Sequence, residues 1–501
     1  MQYGIIIAVI FYEIAVIGGV AWYLSRKESN CEQQEGDFAL GGRSLPTSVV
    51  AVTLALTVLG TAHILGVFEM TWALGASAVW FSIAHVILLV VVCSCTGLWV
   101  RRLGVSTVPE ILETFFGQGT RLVVSCVMAG VIFGILTIET QGIGIIVASM
   151  TGWEIKDGAV VGGILGVFYV VLAGIKEVGW VNLVNAVVMY VGLILATIFL
   201  AFELPGGSYA SVADYYINTD AESMLSIYGT SEIMLTFGLG TVVAVVFSQS
   251  INQMLLQPAM AAKNEKTIKR ALWIAAPVNG LFGVFAVVIG LAAKSVPEYQ
   301  VLGPKVAATT MLVELLPGWL GALLLASFLA AILSTFAMTS LSPATIFTMD
   351  IYKRLYRPNA TEAELTKVIR ITIIILAIIA IAVASYLPPI LAAMNWLFSW
   401  LVPIFWVVVF GFVWKRNAAA ALLTLVAAWI TNSVWSFTSL PEILGMKAVA
   451  NAYVTLGVTL LVGISSNLLL PGKPGYFKSS EYLEEHGAET DPMAEPLPDF
   501  K

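Results

Sequence analysis

Long runs of apolar residues, separated by short polar segments, occupy most of this sequence. A helix that crosses a lipid bilayer needs about 20 predominantly apolar residues. By that measure the sequence predicts an all-α membrane protein with about thirteen transmembrane helices. The predicted spans are residues 4–24, 47–72, 76–99, 121–149, 157–174, 181–203, 232–256, 270–294, 318–349, 367–387, 390–412, 416–437 and 449–470.

Composition and charge agree with this layout and give it an orientation. The 501 residues are 59% hydrophobic and 11% charged, whereas soluble domains are about 25% charged. With the N-terminus placed outside, 21 of the 25 Lys and Arg fall on the cytoplasmic side, as the positive-inside rule requires. The sequence therefore predicts a transmembrane domain over residues 1–470 in the cell membrane. Residues 471–501, rich in Gly, Pro and acidic residues, are expected to form a disordered cytoplasmic tail.

The sequence contains no Walker A motif, no glycine-rich phosphate loop and no soluble catalytic domain. We therefore expect a lipid-embedded protein that is not an enzyme and binds a small molecule rather than nucleic acid. Its oligomeric state is not determined, and a functional monomer is expected.

Few ionisable side chains lie inside the predicted spans: Glu13, His63, Glu69, His85 and Glu139. Such residues are costly in a bilayer and are therefore functional candidates. So sparse a set argues against a voltage sensor, which needs a ladder of Arg residues, and against a proton pump built on a chain of carboxylates.

The span at 318–349 carries an unusual number of hydroxyl side chains. Ala331, Ser334 and Thr335 follow the i, i+3, i+4 spacing that puts residues on one helical face. This face offers neutral oxygens of the kind a desolvated Na⁺ requires. The alternative is that the hydroxyls bond to carbonyls of their own helix or join it to a neighbour.

Glycines interrupt two spans that occupy matching positions in the two halves of the chain. Gly60 interrupts the second span, and Gly238 with Gly240 interrupts the span at 232–256. Such paired interruptions indicate a transporter binding site at the interface of inverted repeats. We therefore predict a five-plus-five inverted-repeat, LeuT-like core, with repeats at about 47–203 and 232–412.

Three motifs then identify a family. The chain resembles the sodium:solute symporters, which include bacterial proline and sialic acid symporters and animal sodium–glucose cotransporters. The resemblance covers about residues 4–470 and rests on "FALGGRSLP" (38–46), "LSTFAMTSLSPATIFTMDIYKRLYRP" (333–358) and "NQMLLQPAMAAKNEK" (252–266). Pro258 departs from the family, which usually has Arg there.

The resemblance implies a set of binding residues. His63 and Asn252 fall where relatives contact substrate. Glu139 has no family role: it could pair with a cationic substrate or with His85, or simply satisfy neighbouring Thr and Gln side chains. The family's shared sodium site uses backbone carbonyls of the second and ninth helices and two hydroxyls of the ninth. The corresponding residues are Leu56, Leu59, Ala331, Ser334 and Thr335.

Departures from the family narrow the expectation. Asn182 replaces the Asp that some members use for a second sodium, and Ala337 and Met338 replace its serines. We therefore expect one Na⁺ per cycle. Sugar is an unlikely substrate, since Ser82 stands where sugar transporters have Glu and Met254 where they have an aromatic residue.

The resemblance therefore implies sodium-coupled uptake of a small organic solute by alternating access, with an amino acid or a carboxylate as the expected class. One alternative is a proton- or cation-coupled transporter of the same fold that uses Glu139 and His63. Two others are a transporter-like membrane sensor, for which the tail leaves little room, and a channel, which broken helices fit less well. The sequence does not identify the solute.

Overall fold

The computed structural model describes residues 2–28, 39–172, 175–384, 390–446 and 448–479. These residues are almost entirely helical, and the one sheet among them is a two-stranded ribbon of Lys415–Arg416 (β1) and Lys473–Pro474 (β2). Three π-helical segments, Val92–Thr96, Met234–Leu239 and Phe347–Tyr356, join consecutive helices.

The described residues form α-helices α1 to α23. In chain order they are Gln2–Glu28, Thr47–Val58, Thr61–Leu74, Trp80–Val91, Gly97–Arg102, Val108–Phe116, Gln118–Thr151, Ile155–Leu172, Ile175–Glu203, Ala210–Asn218, Ser231–Ile233, Gly240–Gln249, Gln253–Met260, Glu265–Ser295, Pro297–Gln300, Ala307–Leu315, Gly318–Ile346, Glu362–Ala384, Ile390–Ser399, Val402–Val413, Ala418–Phe437, Leu440–Ile443 and Asn451–Leu469.

Grouped into hydrophobic segments, the helices confirm the predicted layout. Helices α2 and α3 together make the second span, α4 and α5 the third, α11, α12 and the start of α13 the seventh, and α19 and α20 the eleventh. The described residues thus contain thirteen hydrophobic segments at the predicted positions. The second and third spans are joined at Gly75, whose φ of +58° and close approach to the Met224 backbone leave no room for a side chain.

Both predicted breaks exist, but one lies elsewhere. The first falls at Leu59 and Gly60, between α2 and α3, as predicted. The second was expected at Gly238 and Gly240, which is wrong: helical structure continues through both, and the break lies at 250–252. A glycine costs a helix only about 1 kcal/mol, so it does not break a helix by itself. The actual break is stabilised by the Asn252 side chain, which accepts a hydrogen bond from the Met254 N–H at 3.1 Å.

Helix α17 runs through the centre of the bundle and is almost wholly buried. Most of its hydroxyls do not face a ligand site but bond to carbonyls of α17 itself or join it to a neighbouring helix. Thr339, Ser340 and Thr345 donate hydrogen bonds to carbonyls one turn earlier, at 2.6–2.8 Å. Ser342 instead joins two helices by donating to Gln257 Oε1 on α13 at 2.8 Å. These four hydroxyls therefore need no ligand.

An ion-pair network closes one end of the bundle, which we call the basic end because Arg101, Arg102, Lys263 and Arg354 lie there. At its centre the buried Asp350 accepts hydrogen bonds from Arg121 and from Thr107, the latter at 2.8 Å. Arg121 also pairs with Glu113, which pairs in turn with Arg354. Burial alone would raise the pKa of Glu113, but the hydrogen bonds from both arginines hold it below its usual value.

The start of the predicted disordered tail is ordered. Residues 473–474 pair with the β1 strand, and the Tyr476 ring packs against Phe115 and Phe412. The polar composition of the whole tail hides this short aromatic anchor, which explains the difference. The remainder of the tail, 480–501, lies outside the described residues.

The network at the basic end predicts a difference between two carboxylate substitutions. We expect Asp350→Asn to destabilise the protein by about 3 kcal/mol, because it leaves the largely buried Arg121 short of a partner. Glu265→Gln breaks the ion pair with Arg102. The Arg102 side chain is 25% exposed and that of Glu265 is 34% exposed, so this substitution should lower the stability by less than about 1 kcal/mol. The melting temperatures of the two variants in detergent test this, and equal shifts would contradict it.

Candidate functional site

The predicted sodium-site oxygens meet where the first break faces α17. The Thr335 hydroxyl donates a hydrogen bond to the Leu56 carbonyl at 3.0 Å and lies 3.4 Å from the Ala331 carbonyl. Leu59 lies in the break itself, and its N–H donates to the Leu56 carbonyl at 3.2 Å. The structure thus brings oxygens of Leu56, Ala331 and Thr335 together, with Leu59 beside them.

Ser334 differs from the other hydroxyls of α17. Its Oγ is fully buried and has no hydrogen-bond partner, which costs about 1–3 kcal/mol. An ion that accepts this oxygen as a ligand would recover that free energy. The described residues contain no cluster of three His, Cys, Asp or Glu side chains that could hold a metal. The oxygens gathered around Thr335 are neutral, and neutral oxygens are ligands that fit Na⁺.

Glu139 occupies the first break from the opposite side. Its Oε2 accepts a hydrogen bond from the Thr61 N–H, the first of α3, at 2.8 Å. A negative group at a helix N-terminus is favoured by the helix dipole. A Cβ at position 60 would lie 2.5 Å from Glu139 Oε1, so any residue larger than glycine would force this carboxylate to move. The sequence marked Glu139 as a candidate but gave no sign that it caps a half-helix.

His63 is buried and hydrogen-bonded on both sides. Its Nδ1 lies 3.2 Å from the Val58 carbonyl, which can only accept, so Nδ1 carries the proton. Its Nε2 then accepts from the Ser82 hydroxyl at 2.6 Å. The ring also packs edge-on against Phe81. His63 thus joins α3 to α4 and stands behind the central cavity rather than in its wall.

Asn252 likewise lies behind the cavity. Besides capping α13, its Nδ2 donates to Gln249 Oε1 at 2.9 Å. Gln249 is the residue that lines the cavity. Gln249 was not among the predicted site residues, although its position just before the break, in "SQSINQ", was a usable signal.

A small cavity lies between the two breaks and α17. It measures about 20 Å³, the room of roughly one water molecule. Thr335 and Glu139 both line it, as do Phe81, His85 and Phe398. No organic solute fits this space, so binding one requires the surrounding helices to move apart.

A much larger cleft of about 1140 Å³ opens between α7, α19 and the segment 435–451, away from the basic end. The cleft and the cavity use different faces of α7. Gly134 and Thr137 line the cleft, whereas Ile135 and Glu139 line the cavity. The Leu397 side chain, which also lines the cleft, packs tightly against Gly134.

The region expected to lack a second sodium site has few ligands. Ala337 and Met338 are buried and offer no side-chain oxygen. Asn182 is also buried, and neither atom of its amide has a hydrogen-bond partner.

Two broken membrane helices that face each other across a buried cavity are characteristic of secondary transporters. The chain belongs to the sodium:solute symporter family, whose profile matches residues 38–427. It is therefore a multi-pass membrane transporter that couples solute uptake to Na⁺.

Individual relatives agree with the family. The "Uncharacterized symporter YidK" of Escherichia coli is 24% identical over 81% of this chain and 74% of its own length. The sodium/glucose cotransporter of Vibrio parahaemolyticus is 25% identical over 83% of this chain and 82% of its own. A solved structure of a Na⁺-coupled sialic acid symporter, substrate-bound and outward-open, has a TM-score of 0.77 at 18% identity. It covers 94% of this chain and 99% of that chain, which shows a shared fold.

The close packing at the first break gives a prediction. We expect Gly60→Ala to displace the Glu139 carboxylate from the α3 N-terminus and to lower the melting temperature clearly. Gly130→Ala, on the helix that carries Glu139, is the matched control because nothing lies within 4 Å of the added methyl group. It should leave the melting temperature unchanged or raise it slightly. An unaffected Gly60→Ala variant would show that the cap does not depend on close approach.

Proposed function

We propose that this protein carries a small organic solute into the cell together with one Na⁺ per cycle. In this proposal Leu56, Leu59 and Ala331 bind Na⁺ through backbone carbonyls, and Ser334 and Thr335 bind it through hydroxyls. One observation carries it: the Thr335 hydroxyl already bridges α17 to a carbonyl at the helix break, next to a Ser334 hydroxyl with no partner.

The geometry suggests how Na⁺ would act on the helices. In the structure the Thr335 hydroxyl donates to the Leu56 carbonyl at 3.0 Å. In this proposal the hydroxyl turns when Na⁺ binds, so that both oxygens face the cation. Because α2 and α17 belong to different predicted repeats, an ion shared between them would stabilise one arrangement of the repeats over the other. A ligand can shift such an equilibrium only through differential affinity.

The solute would occupy the central cavity after the helices around it move. Glu139 would contact it directly, and so would Gln249, the hydrogen-bond partner of Asn252. His63 would act indirectly, by holding α3 to α4 through its hydrogen bond with Ser82. The names of similar proteins do not identify the solute, since they include glucose and sialic acid transporters.

The proposed direction of transport follows from charge. The basic end should face the cytoplasm and the N-terminus the outside, in accordance with the positive-inside rule. The ion-pair network around Asp350 would then close the cytoplasmic side, and the large cleft would lie on the outer side.

Proton coupling is the second candidate, and one observation favours it. Glu139 lines the same cavity as Thr335 and forms no ion pair with a Lys, Arg or His among the described residues. A carboxylate in that situation could carry a proton. Uptake into proteoliposomes under an imposed pH gradient without Na⁺ separates this candidate from Na⁺ coupling.

The proposed ligands predict a pattern among three hydroxyl variants. Ser334→Ala and Thr335→Ala should each cost Na⁺ binding about 1–3 kcal/mol, which raises half-maximal Na⁺ roughly 5- to 150-fold. Ser340→Ala is the matched control, because the Ser340 hydroxyl bonds only to its own helix, at 2.6 Å. The readout is the Na⁺ dependence of thermal stability and of uptake. Wild-type Na⁺ dependence in both site variants would rule out these ligands.

The proposed absence of a second sodium site predicts a flux ratio of one Na⁺ per solute. One charge crossing 100 mV supplies about 2.3 kcal/mol, and a tenfold Na⁺ gradient adds about 1.4 kcal/mol. Together they can concentrate a neutral solute several-hundredfold. Simultaneous measurement of Na⁺ and solute flux in proteoliposomes tests this, and a reproducible ratio of two would contradict it.

A further inference from the structure

We propose that the transported solute carries an organic ammonium group and that the Glu139 carboxylate binds this group in the central cavity. The inference rests on the proposed function and narrows it, since an anionic solute is excluded. Three features of the cavity support it: its unpaired carboxylate, the occupied N-terminus of α3, and its walls.

Glu139 is a buried carboxylate without a cation. Its residue is 1% exposed, and its hydrogen-bond donor is the Thr61 N–H. No Lys, Arg or His in the described part of the chain forms an ion pair with it. The α3 N-terminus offsets part of the cost of burying this carboxylate, but without a cation a net cost remains. A cationic solute that arrives in the cavity would remove this cost during each cycle.

The α3 N-terminus is not available to an anionic solute. In transporters with broken helices, the N-termini of half-helices bind the anionic groups of substrates, because their N–H groups have no partners in the helix. Here the Glu139 carboxylate already occupies that position, on the Thr61 N–H at 2.8 Å. The first break therefore presents a carboxylate to the cavity instead of free N–H donors. Free donors would favour an anionic ligand, whereas the carboxylate favours a cationic one.

The remaining walls fit an ammonium ion and offer an anion little. Phe81 and Phe398 contribute aromatic rings, and Met254 and Met394 contribute thioethers. Aromatic faces attract organic cations, quaternary ammonium groups included. No Lys or Arg lines the cavity among the residues described, and the imidazole of His85, which does line it, has its Nδ1 2.7 Å from the Phe81 carbonyl. A carboxylate or phosphate would therefore find no permanent counter-charge.

Na⁺ itself is less well suited to the space beside Glu139. The ion needs a shell of several oxygens, and the neutral oxygens gathered at Leu56, Ala331 and Thr335 provide one. The cavity walls are mainly apolar and aromatic. We therefore assign Na⁺ to the oxygen cluster and the solute's ammonium group to the carboxylate.

The test compares solutes that differ in charge but not in shape. Choline and its neutral isostere 3,3-dimethylbutan-1-ol form one pair, and ethylammonium and propane form another. The anion 3,3-dimethylbutyrate completes the set. Thermal shift and calorimetry of the purified full-length protein, with and without Na⁺, provide the measurements. We expect Na⁺-dependent binding of at least one ammonium compound and of neither its neutral isostere nor the anion.

Glu139→Gln is the decisive variant. The amide oxygen of Gln can still accept the Thr61 N–H, so the cap on α3 is retained while the charge is lost. Ammonium binding should weaken about 10- to 150-fold, as expected for a hydrogen bond to a charged group. Glu69→Gln is the matched control: it neutralises a carboxylate on α3 that does not line the cavity, and it should bind as the wild type does.

Failure of this inference and failure of the proposed function give different results. If Na⁺ does not stabilise the wild type, the proposed function fails. If Na⁺ stabilises it but the anion binds, no ammonium compound binds, or Glu139→Gln keeps the ammonium affinity, then only the ammonium assignment is overturned.

Discussion

The structure depends on one constraint: inside a bilayer, every backbone N–H and C=O must find a partner within the protein. Two spans are broken here, so their free ends have to be satisfied by side chains. Glu139 caps α3 at the first break, and Asn252 caps α13 at the second. The two breaks, and the cavity between them, exist because these two buried side chains stabilise them.

The same constraint shapes the proposed sodium site. At the first break the Leu56 carbonyl receives hydrogen bonds from Thr335 and from the Leu59 N–H, and the Ser334 hydroxyl beside Thr335 has no partner. These oxygens are stable enough to be buried, yet they remain able to turn towards a cation. A cavity of about 20 Å³ shows that the site is closed, so exchange of a solute requires relative motion of helices rather than a permanent pore.

Two long helices connect the site to the basic end of the bundle. Helix α7 carries Arg121 near its start and Glu139 further along, and α17 carries Thr335 before the chain reaches Asp350. The Arg121–Asp350 pair therefore joins the two helices that also meet at the cavity. If α7 and α17 move relative to each other at the cavity, the Arg121–Asp350 pair has to accommodate that movement, because packed helices move as rigid units. This physical connection would link ligand binding to opening of the basic end.

The sequence by itself determined the thirteen hydrophobic segments, the first break and the face of Ala331, Ser334 and Thr335, because apolar length and helical spacing are local properties of the chain. The second break and the ordered segment 471–479 depended on contacts of Asn252 and Tyr476 that composition does not reveal. Only the tertiary structure decided that His63 bonds Ser82 and that Glu139 reaches the Thr61 N–H, 78 residues away. Such roles depend on contacts between side chains of separate helices, and the periodicity of the sequence does not show which helices pack together.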